Sequence, residues 1–205
     1  MTKTISKLYP TYERAQAAVR ELETAGVPHS EISIVANNSD NWYSKDGTAK
    51  RVDRDGDGVD DRAEGAGKGA GIGAGIGGAA GLLAGLGLLA IPGVGPVVAA
   101  GWLVATAAGA AAGGLTGGIV GALTQAGVSD EDAQVYAEGV RRGGTLVSAR
   151  VSDADASRLE AVLDRSALRT TAMRSSYDKS GWKGFDPAAK PYSAEEVRNY
   201  RSSWG

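Results

Sequence analysis

Cysteine is absent from this chain, so disulfides, thiol nucleophiles and cysteine-ligated zinc are excluded, and redox chemistry says nothing about its compartment. Histidine occurs once, at His29 between Pro28 and Ser30, with no acidic or nucleophilic partner in a recognisable motif. General-base catalysis, which needs a positioned partner, is left without a candidate there. Positive charge is not in surplus: 22 Lys and Arg face 24 Asp and Glu, which argues against a nucleic-acid binder that works by neutralising phosphates. The start, Met1-Thr2-Lys3-Thr4-Ile5, lacks a charged n-region followed by an apolar stretch, so a cleaved secretory signal is not expected and a cytoplasmic protein is. Paired catalytic carboxylates and nucleophile–base signatures are missing too. We therefore expect no enzyme, no catalytic residues and no small-molecule substrate.

Charge itself nearly vanishes between Gly65 and Gly127, where Lys68 is the only charged side chain. What fills the gap is a small-residue lattice of period four: Gly65, Gly69, Gly73, Gly77, Gly81 and Gly85, then Gly101, Ala105, Gly109, Gly113, Gly117 and Gly121. Positions four apart share a helical face. Each glycine costs a helix about 0.5–1 kcal/mol relative to alanine, so something must compensate, and close backbone approach between helices does so in small-xxx-small packing. The turn Ile91-Pro92-Gly93-Val94-Gly95-Pro96 divides the lattice, with Pro92 placed to end one helix and Pro96 to open the next. The pattern predicts a glycine-zipper helical hairpin over 65–127, self-associating through Gly69, Gly73, Gly77, Gly81, Gly85, Gly101, Gly109, Gly113, Gly117 and Gly121. The repeat lacks the strand–turn–helix context and acidic partner of a dinucleotide fingerprint.

The flanking segments read as one small α+β head, residues 1–40 and 128–173. Lys3 to Tyr9 suits a strand, and Thr11 suits the cap of a helix with Ala15, Ala18, Val19 and Leu22 on one face. Gly26-Val27-Pro28 stops that helix. Ile32, Ile34 and Ala36 alternate as a second strand. After the insertion, Ser129-Asp130-Glu131-Asp132 caps a helix that ends with Arg141-Arg142 before Gly143-Gly144, both ends complementing the dipole. Thr145–Val151 is expected as a strand, Asp153–Arg165 as a helix and Leu168–Met173 as the last strand. Two β-α-β halves make a ferredoxin-like βαββαβ sandwich with helices on one sheet face, interrupted between its second and third strands. Residues 174–205, carrying Tyr177, Trp182, Phe185, Tyr192, Tyr200 and Trp204, form a C-terminal arm expected to dock on its own domain or on a neighbouring subunit. Ser193-Ala194-Glu195-Glu196 would start a short helix there.

Residues 41–64 form a polar loop leaving the head. Within it, Asp53 to Glu64 matches the twelve-position calcium-loop pattern at every ligand position. Asp53, Asp55 and Asp57 would give carboxylates, Val59 its carbonyl, Asp61 a held water and Glu64 a bidentate pair, with Gly58 at the sharp turn. Asp60 replaces the usual apolar eighth residue, so the paired-loop contact of EF-hands is not expected, and the single loops of thrombospondin type 3 and dockerin-like repeats are closer. Ca²⁺ is the implied cofactor. Because Glu64 directly precedes Gly65, a bound ion would fix how the hairpin leaves the head.

The opening β-α-β, with Gly26 before its second strand, and the run from Gly127 to Ser148 resemble bacterial general-stress proteins of the heat-induced YflT type. The resemblance spans about Thr2 to Met173. It implies stress induction and no established catalysis, and supplies no active-site residues. The expected role is thus a stress-related structural protein that forms homo-oligomers through its hairpin, at the inner membrane in one version. Each half of about 25–29 residues is roughly 37–43 Å long, enough for a hydrocarbon core. The alternatives are a lipid-free ring, shell or filament, and a small-ligand sensor built on the head.

Overall fold

The computed structural model describes residues 2–43, 87–104, 106 and 118–204. The calcium-loop residues Asp53 to Glu64, and Gly69, Gly73, Gly77, Gly81, Gly85, Gly109, Gly113 and Gly117, lie outside them.

β1 (Thr2–Tyr9) runs into α1 (Tyr12–Thr24), which starts where the Thr11 hydroxyl accepts from the Arg14 amide. α1 buries Ala15, Ala18, Val19 and Leu22, the stripe its spacing predicts, and Gly26 at φ +96° turns the chain out of it. A single 3₁₀ turn, His29–Glu31, leads to β2 (Ile32–Asn37), every residue of which is buried. β3 (Gly87–Ile91) and β4 (Gly95–Gly101) follow, then α2 (Gly118–Gln125) and α3 (Asp130–Arg141), the latter capped by Ser129. β5 (Thr145–Ser152), α4 (Asp153–Leu163), α5 (Thr170–Lys179) and α6 (Ala194–Ser202) complete the order. α6 begins with a full capping box between Ser193 and Glu196.

The result is an α+β protein with one antiparallel sheet in the order β1-β5-β2-β4-β3. Its two faces carry separate cores. α1 and α4 cover one, around Ile5, Leu22, Ile34, Val147 and Leu159, while α2, α3 and α5 cover the other, around Leu8, Val35, Leu123, Val140 and Leu146. Helices on both faces replace the single layer expected, which is why β2 has no solvent face. Among the described residues no helix is long and apolar enough to cross a membrane.

Three expectations need correction. Residues 87–101 are a β-hairpin, not the ends of two helices: Gly93, Gly95 and Gly101 have φ of +73°, +100° and +92°, outside helical space. The β-branched Val97 and Val98 pair with β2, which would otherwise end the sheet with open hydrogen-bonding groups. The hairpin tip is also no distal probe, for Val94, Val97 and Val98 are fully buried in the head itself. Second, Leu168–Met173 is not a strand. Only Leu168 bridges Leu8, and α5 starts two residues later, because Met173 and Tyr177, four apart, bury one helical stripe. α5 therefore straddles the boundary drawn at 174. Third, Gly101 serves the sheet: a Cβ there would collide with the Ile32 carbonyl oxygen and lie 2.7 Å from the Ser33 Cα. Its smallness is used inside one chain. Gly121 lies within α2.

Candidate functional site

The described residues concentrate their buried charge where α3 ends. Gly143, at φ +107°, closes α3 with its amide on the Val140 carbonyl, and the Gly144 amide returns to Gly139. A Cβ on Gly143 would lie 2.7 Å from Val197 Cγ1, so the bare main chain there is what lets α6 approach. Side-chain donors, one of them a cation as the helix dipole favours, reach the carbonyls of this end. Arg201 Nε donates to the Gly143 oxygen at 2.7 Å, and the Asn37 amide donates to the Arg141 oxygen at 3.2 Å.

At the centre is Glu138, fully buried on α3. Arg142 Nε lies 2.6 Å from one carboxylate oxygen and Arg141 Nη1 3.2 Å from the other. The spacing i, i+3, i+4 puts all three on one helical face. The two guanidinium planes then stack outward on the arm: Arg142 lies 4.1 Å from the Tyr177 ring centroid and 4.8 Å from that of Tyr200, and Arg141 lies 4.3 Å from that of Tyr192. Arg142 also donates to Ser180 Oγ, and Arg141 to the Lys190 carbonyl. Arg201 ties α6 to the end of β2 through Asp40 at 2.6 Å and the Asn37 carbonyl at 3.2 Å. The arm thus docks on its own domain.

Burial works to lower the Arg142 pKa, but its hydrogen bond and ion pair with Glu138 outweigh that and raise it. Burial pushes Tyr177 up, and pushes Tyr192 up to about 12, with Tyr200 beside it adding to the effect. An unfolded tyrosine ionises near 10, so below that pH both states hold the proton and stability is unaffected. As pH rises from 10 toward about 12 the unfolded chain releases its proton first, and stability falls. A tyrosinate absorbance titration should show Tyr177 and Tyr192 ionising together with loss of the arm, later than free tyrosine.

This arrangement neutralises its carboxylate with two cations and covers the cations with aromatic rings, which suits holding rather than proton transfer. His29, in its 3₁₀ turn, is exposed and far from it in the chain. An open surface depression of about 480 Å³ lies elsewhere, between α1 and α4, with Arg20, Glu21, Thr24 and Arg165 on its walls. Among the described residues no three His, Asp or Glu side chains come together as a metal group. Of the glycines proposed for self-association, the structure places Gly101 and Gly121, and does not bring them together as a lattice.

Sequence reasoning found Arg141 and Arg142 as dipole partners but missed Glu138 as their counter-ion. The available signal was an acid three and four residues before a pair of arginines, followed by a tail rich in tyrosine. No family model, no curated protein and no solved structure matches the chain.

Proposed function

We propose that this protein is a non-enzymatic structural protein whose glycine-rich stretches join copies together, with the α+β head as their mount. The observation that supports this most is where those stretches meet the head. The lattice preceding Gly87 enters at one end of β3, and the lattice after Gly101 departs from the same end of β4, since Gly87 stands opposite Ala99 in the register. Two adjacent antiparallel strands are about 5 Å apart. The β-hairpin therefore sets Gly87 and Gly101, where the two glycine series adjoin the described residues, at neighbouring strand ends.

The head supplies rigidity. A clasp made by Glu138, Arg141 and Arg142 with the rings of the arm locks it over α3, and the hairpin tip is seated in the core, so strain on the glycine stretches is met by a packed sheet. The split β-α-β arrangement, with an added hairpin and a truncated last strand, is the finer fold reading we favour. The resemblance to heat-induced general-stress proteins supports a stress-related role. Val94, Val97 and Val98 are buried within the head and so are not left to enter lipid, which favours lipid-free assembly over a membrane version. The loop Asp53 to Glu64 is assigned to Ca²⁺ on its ligand spacing alone.

The test is particle size by light scattering. Gly73→Leu, Gly77→Leu, Gly113→Leu and Gly117→Leu together should reduce the assembly to small species while circular dichroism of the head is kept. Adding calcium or a chelator to the parent reads the contribution of the loop in the same run. Unchanged size in the four-glycine variant would remove the proposal.

A further inference from the structure

Among the described residues β3 is an outer strand of the sheet, and Pro96 reveals which way each of its residues faces. The Pro96 carbonyl accepts from the Asn38 amide at 2.8 Å, so the backbone polar groups of Pro96 face β2. Ala90 stands opposite Pro96 and is therefore in a non-hydrogen-bonded pair, with its own N–H and C=O turned off the sheet. Leu88, two residues along, faces the same way. Among the described residues these four groups have no partner.

The opposite edge is different. At β1 the Ser6 carbonyl accepts from the Tyr136 hydroxyl and the Leu8 carbonyl from the Leu168 amide, both at 2.7 Å. Lys3 and Lys7 add charge to that strand, a common guard against edge pairing. β3 reads Gly-Leu-Leu-Ala-Ile, with no charge, no proline and an unbroken register to β4. Leu88 is also 45% exposed, the large apolar side chain left uncovered among the described residues.

We propose that this edge pairs with β3 of a second copy, antiparallel about a two-fold axis at Leu89. Leu88 of each copy then lies opposite Ala90 of the other, and all four outward groups of each strand are used. Leu89 meets its counterpart in a non-hydrogen-bonded pair on the other face. Sliding the copies two residues toward the turn would set Leu88 opposite Pro92, which has no N–H to give. A one-residue slip would put inward groups against outward ones. Charge favours an identical strand as the occupant, because a charged partner would lay an unpaired charge against Leu88 and the copy brings none. The proposal shares with the self-association reading only the identity of the partner. The surface is separate, and either can fail alone.

The lack of native cysteine makes crosslinking a direct test. In the proposed register two Leu89→Cys strands hold their Cα atoms about 4.5 Å apart, within disulfide reach. Two Leu88→Cys strands sit on a diagonal of about 7–8 Å and do not reach. Under mild oxidation Leu89→Cys should give covalent dimer at roughly tenfold the yield of Leu88→Cys, and mixing Leu88→Cys with Ala90→Cys protein should restore it. Ala90→Pro removes one outward N–H and no bond to β4, so the fold should persist on this edge while the Leu89→Cys crosslink is lost. Equal yields from the two single cysteines, or a crosslink that survives Ala90→Pro in protein of unchanged circular dichroism, would overturn the proposal. Repeating the Leu89→Cys crosslink in the four-glycine variant separates the two surfaces. A retained crosslink supports an interface of its own, and one that vanishes with the glycines makes the edge contact a by-product and overturns it.

Discussion

Glu138→Ala should lower folding stability by about 3–5 kcal/mol, the usual cost of stripping one partner from a buried ion pair. The carboxylate is fully buried, and the Arg142 side chain against it is only 5% exposed. Without Glu138 the Arg142 charge would have to be held among rings and an alcohol, or drag water into the core. Glu138→Gln keeps the shape and one acceptor and should fall between parent and alanine variant. Changing both members to apolar residues, Glu138→Leu with Arg142→Met, should recover much of the loss, because the penalty is for an unpaired charge and not for a missing bond. Urea unfolding of the three variants checks this. By contrast, breaking the Lys7 pairs with Glu160 and Asp164 should change stability by at most about 1 kcal/mol, since both acids are well exposed. An alanine variant at 138 as mild as that would show that the arm does not depend on the pair.

Tyr177 gives the second large effect, and its two substitutions should split. Its ring is 1% exposed, lies under Arg142 and meets Trp182 edge-on at 5.7 Å between centroids. Tyr177→Ala should cost about 3–5 kcal/mol through lost contacts and an open cavity. The phenol oxygen, however, has no hydrogen-bond partner among the described residues. An unsatisfied buried hydroxyl is a liability, so Tyr177→Phe should leave stability unchanged or raise it by about 1 kcal/mol. Thermal unfolding followed by circular dichroism separates the cases. A phenylalanine variant as unstable as the alanine one would mean that the oxygen is bonded to ordered water.

The elements that could be read from the chain are those whose partners are local. Thr11, Ser129 and Ser193 cap helices they lie beside, and Ile32 and Ile34 alternate within six residues of strand. The hairpin at 87–101 is not legible in the sequence because glycine is compatible with both a period of four and a positive φ, and only the pairing of Val97 and Val98 with β2 decides between them. Thr170 and Thr171, β-branched, made the end of the head look extended, and the burial of Met173 beside Tyr177 overrode that preference. The clasp was invisible for another reason. Arg142 meets Tyr200 across 58 residues (200 minus 142), and no spacing rule connects them.

The ladder between β1 and β5 joins Thr2 to Ser152 and Tyr9 to Thr145, so the first strand zips only after everything between has been spanned. Such non-local pairing makes for slow refolding. Yet the entropy of closing a flexible span grows only with the logarithm of its length, about 0.6 kcal/mol per doubling. Repeats of the glycine series can thus be gained or lost over generations with little change in the time the head takes to assemble. Its unfolding lifetime is then left to contacts such as Glu138 with Arg142 that need not form before the barrier is crossed.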